Sequence, residues 1–145
     1  MQVAKQLAAA NASVILKSVR CFQFDIDRLR CSDDSAVLLT HAGVLVGIAT
    51  DDNMNPRNLR FDAGLTFQRA AGKLTTEQAL AMTSFNLAEM FGVQHLVGTI
   101  EEGKPANFVV FSGEPMAIGS QTALVAVRDR LMCQPDPDGD ASFTR

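Results

Sequence analysis

The chain has no tryptophan, no tyrosine, three cysteines and two histidines among its 145 residues. Cys21, Cys31 and Cys133 are odd in number and lack C-x-x-C spacing, which argues against a disulfide framework or a zinc knuckle. They read as reduced thiols in a cytoplasmic protein. A surplus of one charge is missing too: 13 basic residues stand against 16 acidic ones, for a formal charge of −3. With no long basic patch and no aromatic–basic stripe, a nucleic-acid partner is not expected. The longest apolar runs fall far short of a bilayer span, so a membrane is not expected either. The opening "MQVAKQLAAANASVILKSV" is interrupted by Lys5 and Asn11 and does not read as a signal peptide. What is present is apolar substance: 47% of the residues are hydrophobic, enough for a packed core.

Along the chain, residues 2–10 read as the end of an alanine-rich helix stopped at Asn11. "ASVILKSV" (12–19) is short and β-branched, as expected of a strand buried on both faces. Ser32 is the expected cap of a helix with Asp33 and Asp34 in its first turn. Ala36, Val37 and Leu39 then face inward, and Gly43 ends the helix as a left-handed cap. "VLVGIA" (44–49) is a second buried strand. Strand, helix and strand, with both strands continuously apolar, predict a parallel pair joined by a crossover.

Beyond it, Asn55-Pro56 reads as a cap followed by proline at the first helical position. Leu59, Ala63, Phe67 and Ala70 share a face of that helix, and Gly72 closes it. "TTEQ" (75–78) is a capping box, and a short helix from Asn86 ends at Gly92. The pattern then changes. "LVGTI" (96–100), "NFVVFSG" (107–113) and "ALVAVRDRLMC" (123–133) look like short strands, with a turn at Glu101-Glu102-Gly103. The tail "QPDPDGDASFTR" is polar and reads as disordered.

The second strand runs straight into Thr50, Asp51, Asp52 and Asn53. In parallel α/β sheets ligands collect at the carboxyl ends of the strands, so a carboxylate there can bind a metal or take a proton. An Asx turn that simply stops the strand is the competing reading, and spacing alone favours the turn. Arg57 and Arg60 follow nearby, where a substrate carboxylate could be gripped; ion pairs with Asp52 or Asp62 are the alternative. Asp25 and Asp27, after the first strand, face the same mouth as solvated partners of Arg28 and Arg30. Cys21 has no histidine close in sequence to activate it. Lys104 reads as turn chemistry, and Met82 and Met90 as core filler.

Four segments then stand in order: "HAGVLVGIATDD", "LRFDAGL", "LTTEQALAMTSFNLAEMFG" and "VGTIEEGKPANFVVFSGEP". From Leu38 to Pro115 they resemble the C-terminal part of a metal-dependent amidohydrolase of the imidazolonepropionase and cytosine deaminase type. The resemblance implies an α/β fold: the last two strand–helix units of an incomplete TIM-like (β/α)8 barrel over 1–92, part of a small β-sandwich over 93–133, and the tail 134–145. It implies a hydrolase of carbon–nitrogen bonds in a small-molecule substrate, with one or two divalent metal ions, zinc foremost, in the complete protein. Asp51 would ligate the metal and shuttle a proton from the attacking water, with Asp52, Arg57 and Arg60 as substrate-binding candidates.

The family's His-x-His pair and its mid-barrel ligands have no counterpart here, and His41 and His95 read as surface or packing residues. A catalytic metal needs about three protein ligands, so this chain alone is expected to retain none. Two readings follow. The chain is the C-terminal portion of such a hydrolase, inactive alone and completed by a missing barrel half or a homo-oligomer. Alternatively it is a non-catalytic remnant, a partner-binding scaffold of the same fold.

Overall fold

The computed structural model describes residues 2–17, 34–50, 58–128, 130–135 and 141–142. The alanine-rich start forms helix α1 (Gln2–Ala9), and Asn11 ends it in the left-handed region at φ 51°. β1 (Val14–Leu16) follows, then α2 (Ser35–His41) and β2 (Val46–Ile48). β1 and β2 pair in parallel, Val14 with Val46 and Leu16 with Ile48, as their apolar runs require. α2 starts with Asp34 at its N-cap, not Ser32, and its burial begins at Ala36 and Val37. Gly43 terminates it at φ 85°, a conformation that glycine adopts without the strain of a Cβ.

The two strands differ in burial. All three residues of β2 are buried, whereas Ile15 at the centre of β1 is 43% exposed. The expectation that both strands are covered on both faces therefore holds for β2 and fails for β1. The physical reason is that β1 is an edge strand of a two-stranded sheet and lacks the neighbours that a full parallel sheet would supply.

α3 (Leu59–Arg69) begins with Asn58 at its N-cap, later than the Asn55-Pro56 reading, which lies outside the described residues. Its buried residues are Ala63 and Thr66, with Ala70 just past its end; Phe67, expected inside, is at the surface. Spacings of three and four from Ala63 reach Thr66 and Ala70, so the inward stripe runs through small side chains and leaves the ring outside. α4 (Thr76–Ala81) opens on the expected capping box. The Thr75 hydroxyl accepts from Gln78 N at 3.2 Å, and Gln78 Oε1 accepts from Thr75 N at 2.9 Å. α5 (Phe85–Met90) ends before Gly92 at φ 71°.

One core joins these pieces. Ala36, Val37, Val44, Val46, Ile48, Ala70, Leu74 and Met82 form its buried centre, so Met82 is the core filler its type suggested. Leu7, Val14, Leu16, Leu59 and Leu65 pack around it.

Residues 96–100 do not form the expected strand. Gly98 sits at φ 99°, and a Cβ on it would lie 2.8 Å from Ala88 Cβ and 3.0 Å from Phe85 Cα. The run is a turn laid tightly against α5, a close approach that only a glycine permits. The later runs are strands: β3 (Phe108–Phe111), β4 (Thr122–Val127), β5 (Arg130–Pro135) and β6 (Ala141–Ser142) in one antiparallel sheet of that order. β3 and β4 are out of regular register between Val110 and Phe111, and β4 and β5 between Val125 and Ala126. Within the stretch read as a tail, β5 extends through Pro135 and β6 pairs with it, while 136–140 and 143–145 lie outside the described residues.

Candidate active site

The carboxyl ends of β1 and β2 lie side by side. Ala49 N donates to Leu16 O at 2.8 Å, holding the two chain exits together, and Thr50 follows as a half-buried residue. Residues leaving β2 emerge at this end, beside Lys17 leaving β1. Asp51, Asp52 and Arg57 come next in sequence and lie outside the described residues, as do Asp25, Asp27, Cys21, Arg28 and Arg30.

β2 is held in place from its other side as well. In a parallel ladder alternate residues turn their backbone groups to opposite edges. Leu45 O accepts from Val14 N and Ala49 N reaches Leu16 O, so residues 45, 47 and 49 serve β1. The groups of Val46 and Ile48 point to the far edge. There Ile48 N donates to Met82 O at 2.8 Å, and Asn86 Nδ2 donates to Val46 O at 2.7 Å. Leu87 and Met90 of α5 lie over Gly47, where an added Cβ would sit 2.4 Å from Leu87 Cδ2. The side-chain-free Gly47 is thus what lets α5 rest on the strand. Asn86 is the residue that sequence reasoning passed over. Its only signal was its central place in the "TSFNLA" segment, where the residue type gave no hint that its amide serves a strand 40 positions earlier.

Arg60 is in the first turn of α3. Its guanidinium donates to Pro115 O at 2.7 Å and to Ser120 O at 2.9 Å, and it lies 4.2 Å from the Phe61 ring centroid and 5.0 Å from that of Phe111. It ties α3 to the segment between β3 and β4, and through Phe111 to the antiparallel sheet. Nearby, Gly64 approaches Met116, with an added Cβ only 3.1 Å from Met116 Cβ. The chain's own carbonyls, rather than Asp52 or Asp62, are the partners seen at this guanidinium.

Lys104 is a tie within its own turn. Its ammonium donates to the Thr99 hydroxyl and lies 3.2 Å from Glu101 Oε1, while Thr99 Oγ1 donates to Glu101 at 2.6 Å. The Thr99 hydroxyl, then Lys104, hold the Glu101 carboxyl below its ordinary range. Glu77 is held low chiefly by the hydroxyl of Thr75. Both groups serve local turns and lie away from the strand ends.

The metal question turns on ligands. Among the described residues there is no group of three or more His, Cys, Asp or Glu side chains able to hold an ion. His41 is exposed beside Val3 and Lys5 on the α1–α2 side, and His95 is exposed in the turn after α5. The described residues therefore do not by themselves fit a metal centre. Among them, too, no helix is long and apolar enough to cross a membrane.

Comparison with known proteins fits this architecture. A solved amidohydrolase from Thermotoga maritima superposes with a TM-score of 0.78 at 24% identity, covering 99% of this chain and 34% of that one. A prolidase solved in complex with N-methylphosphonate-L-proline superposes with a TM-score of 0.62 at 22% identity, covering 90% of this chain and 37% of that one. These likenesses establish the mixed α/β fold. In sequence, amidohydrolase tasK of Hapsidospora irregularis is 32% identical over 117 residues, which is 74% of this chain and 12% of that protein. The chain thus spans only a small part of each of these proteins. Residues 9–141 match the amidohydrolase family as a whole, and the chain belongs to that family.

Proposed function

We propose that this chain supplies the last two strand–helix units of a metal-dependent amidohydrolase barrel, with part of its flanking β-sandwich, and that the complete protein hydrolyses carbon–nitrogen bonds. The observation that carries the proposal is the paired exit of β1 and β2, with Thr50 leading directly to Asp51 beyond the end of a fully buried strand. Ligands of parallel α/β folds bind at that end of the strands.

In this reading Asp51 is one metal ligand, and the remaining ligands come from barrel strands outside this chain. A bound divalent ion, zinc foremost, would supply charge stabilisation for the attacked carbon centre. The Asp51 carboxylate takes a proton from the attacking water and returns one to the leaving nitrogen. Asp52 and Arg57 are placed at the same mouth as candidate contacts for a small substrate. Arg60, bound as it is to Pro115 and Ser120, is better suited to positioning α3 than to releasing its donors to a ligand.

The test uses the complete barrel. Replacing Asp51→Asn keeps the shape and removes the base, and should lower turnover of amide or cyclic amide substrates by roughly 100- to 10,000-fold. It should also reduce the metal content measured by elemental analysis. Turnover and metal content both unchanged by D51N would leave Asp51 as a mere turn residue. The second reading, a partner-binding scaffold without catalysis, draws on the missing ligand cluster among the described residues. A complete assembly that binds no divalent ion at all would favour it.

A further inference from the structure

The two edges of the parallel sheet are not equivalent. On β1, Val14 and Leu16 turn their backbone groups to β2, so the N–H and C=O of Ile15 face the opposite edge. Among the described residues no strand pairs there, and the Ile15 side chain is 43% exposed. Val3 on the neighbouring α1 is 66% exposed. On β2, by contrast, the outward groups of Ile48 and Val46 are already bonded to Met82 O and Asn86 Nδ2, and α5 covers Gly47.

We propose that the remainder of the barrel joins this chain at one edge only. It adds a parallel strand along Ile15 of β1, while the Met82–Asn86 segment seals β2, so that the barrel's seam at β2 is made by this chain's own helix connection rather than by a strand pair at Val46 and Ile48. The inference rests on the barrel reading above. The occupant is specified by continuity and by length. β1 already carries a parallel partner on its inner edge, and parallel sheets are stable when strands and helices extend on both sides. The superposed Thermotoga maritima amidohydrolase contains nearly all of this chain's fold in 34% of its own length, leaving most of a barrel to be added. An open edge with a half-exposed isoleucine suits an added strand, and a bonded edge excludes one.

The probe is the polypeptide that remains when the stretch matching this chain is removed from the Thermotoga maritima amidohydrolase. In the chain alone, hydrogen exchange should find the Ile48 amide roughly 100-fold or more slower than the Ile15 amide. Fast exchange at Ile48 would overturn the sealed edge. With the probe added, light scattering should show a one-to-one complex in which Ile15 becomes protected. Ile15→Pro removes only an outward N–H, so the variant should melt as the parent does. It should bind the probe at least about tenfold more weakly. If I15P binds as tightly as the parent, or Ile15 stays unprotected in the complex, the edge assignment fails while the barrel reading stands. Failure of the parent chain to bind the probe at all would instead remove the barrel reading and this inference with it. Protection of Ile15 through self-association without the probe would make a second copy the occupant and overturn the proposal.

Discussion

The two sheets of this protein show opposite degrees of completion. In the parallel pair, Val46 is 1% and Ile48 0% exposed, with helices packed around the strand. In the antiparallel sheet, Val109, Val110, Val127, Leu131 and Met132 are each between 44% and 51% exposed. Register places Val110 with Leu124 and Val109 with Val125 on alternating faces, so apolar side chains stand open on both sides. Apolar surface on both faces of a sheet is the mark of a layer meant to be covered. The first sheet carries its own core, and the second is half of a sandwich.

The contrast is broken most severely at the buried strand. Ile48→Ala should cost about 2–5 kcal/mol in urea unfolding, because the surrounding core cannot collapse fully into the space. Val110→Ala, on the open sheet, should cost less than about 1 kcal/mol in the same measurement. Comparable losses at both positions would mean that the second sheet is covered in solution.

The link between the sheets is the next target. Arg60→Ala removes two charge-assisted hydrogen bonds and leaves the carbonyls of Pro115 and Ser120 without a donor. The expected loss is about 2 kcal/mol, accompanied by faster exchange in β3 and β4 relative to β2. Uniform acceleration throughout the chain would show instead that the two sheets unfold as one unit.

The smallest effect belongs to Glu101. Its carboxyl is held below the ordinary value of 4.5, so it binds its proton less readily folded than unfolded. The resulting stability is present above that value and is lost as pH falls through the lowered folded value. Glu101→Gln should flatten the acid limb of a melting-temperature profile and leave the neutral region nearly unchanged. An unaltered acid limb would show that the Thr99–Glu101–Lys104 tie contributes nothing in solution.

Much of this was legible in the sequence because local chemistry decided it. The capping box at Thr75, the left-handed ends at Asn11, Gly43 and Gly92, and the apolar runs of β1 and β2 each carry their own signal. The misreadings have a common cause in tertiary contact. "LVGTI" has a strand's composition, yet its glycine is used to approach Ala88 and Phe85. Phe67 fits a helical stripe, but the helix buries Thr66 instead. Arg60 carries charge near a candidate mouth and binds main-chain carbonyls some 55 and 60 positions away, which periodicity cannot foresee. For the site itself, the strand that leads to Asp51 was readable, whereas the imidazoles that would complete it belong to no residue of this sequence that the described structure brings near.

The Asn86 clamp has a consequence for biosynthesis. The side chain that satisfies Val46 is encoded 40 residues after it. At translation rates of about 5–20 residues per second, the far rim of β2 leaves the ribosome roughly 2–8 s before its fastener is made. During that delay the nascent strand is a site that a chaperone or a neighbouring nascent chain could occupy, and the arrival of α5 ends the exposure.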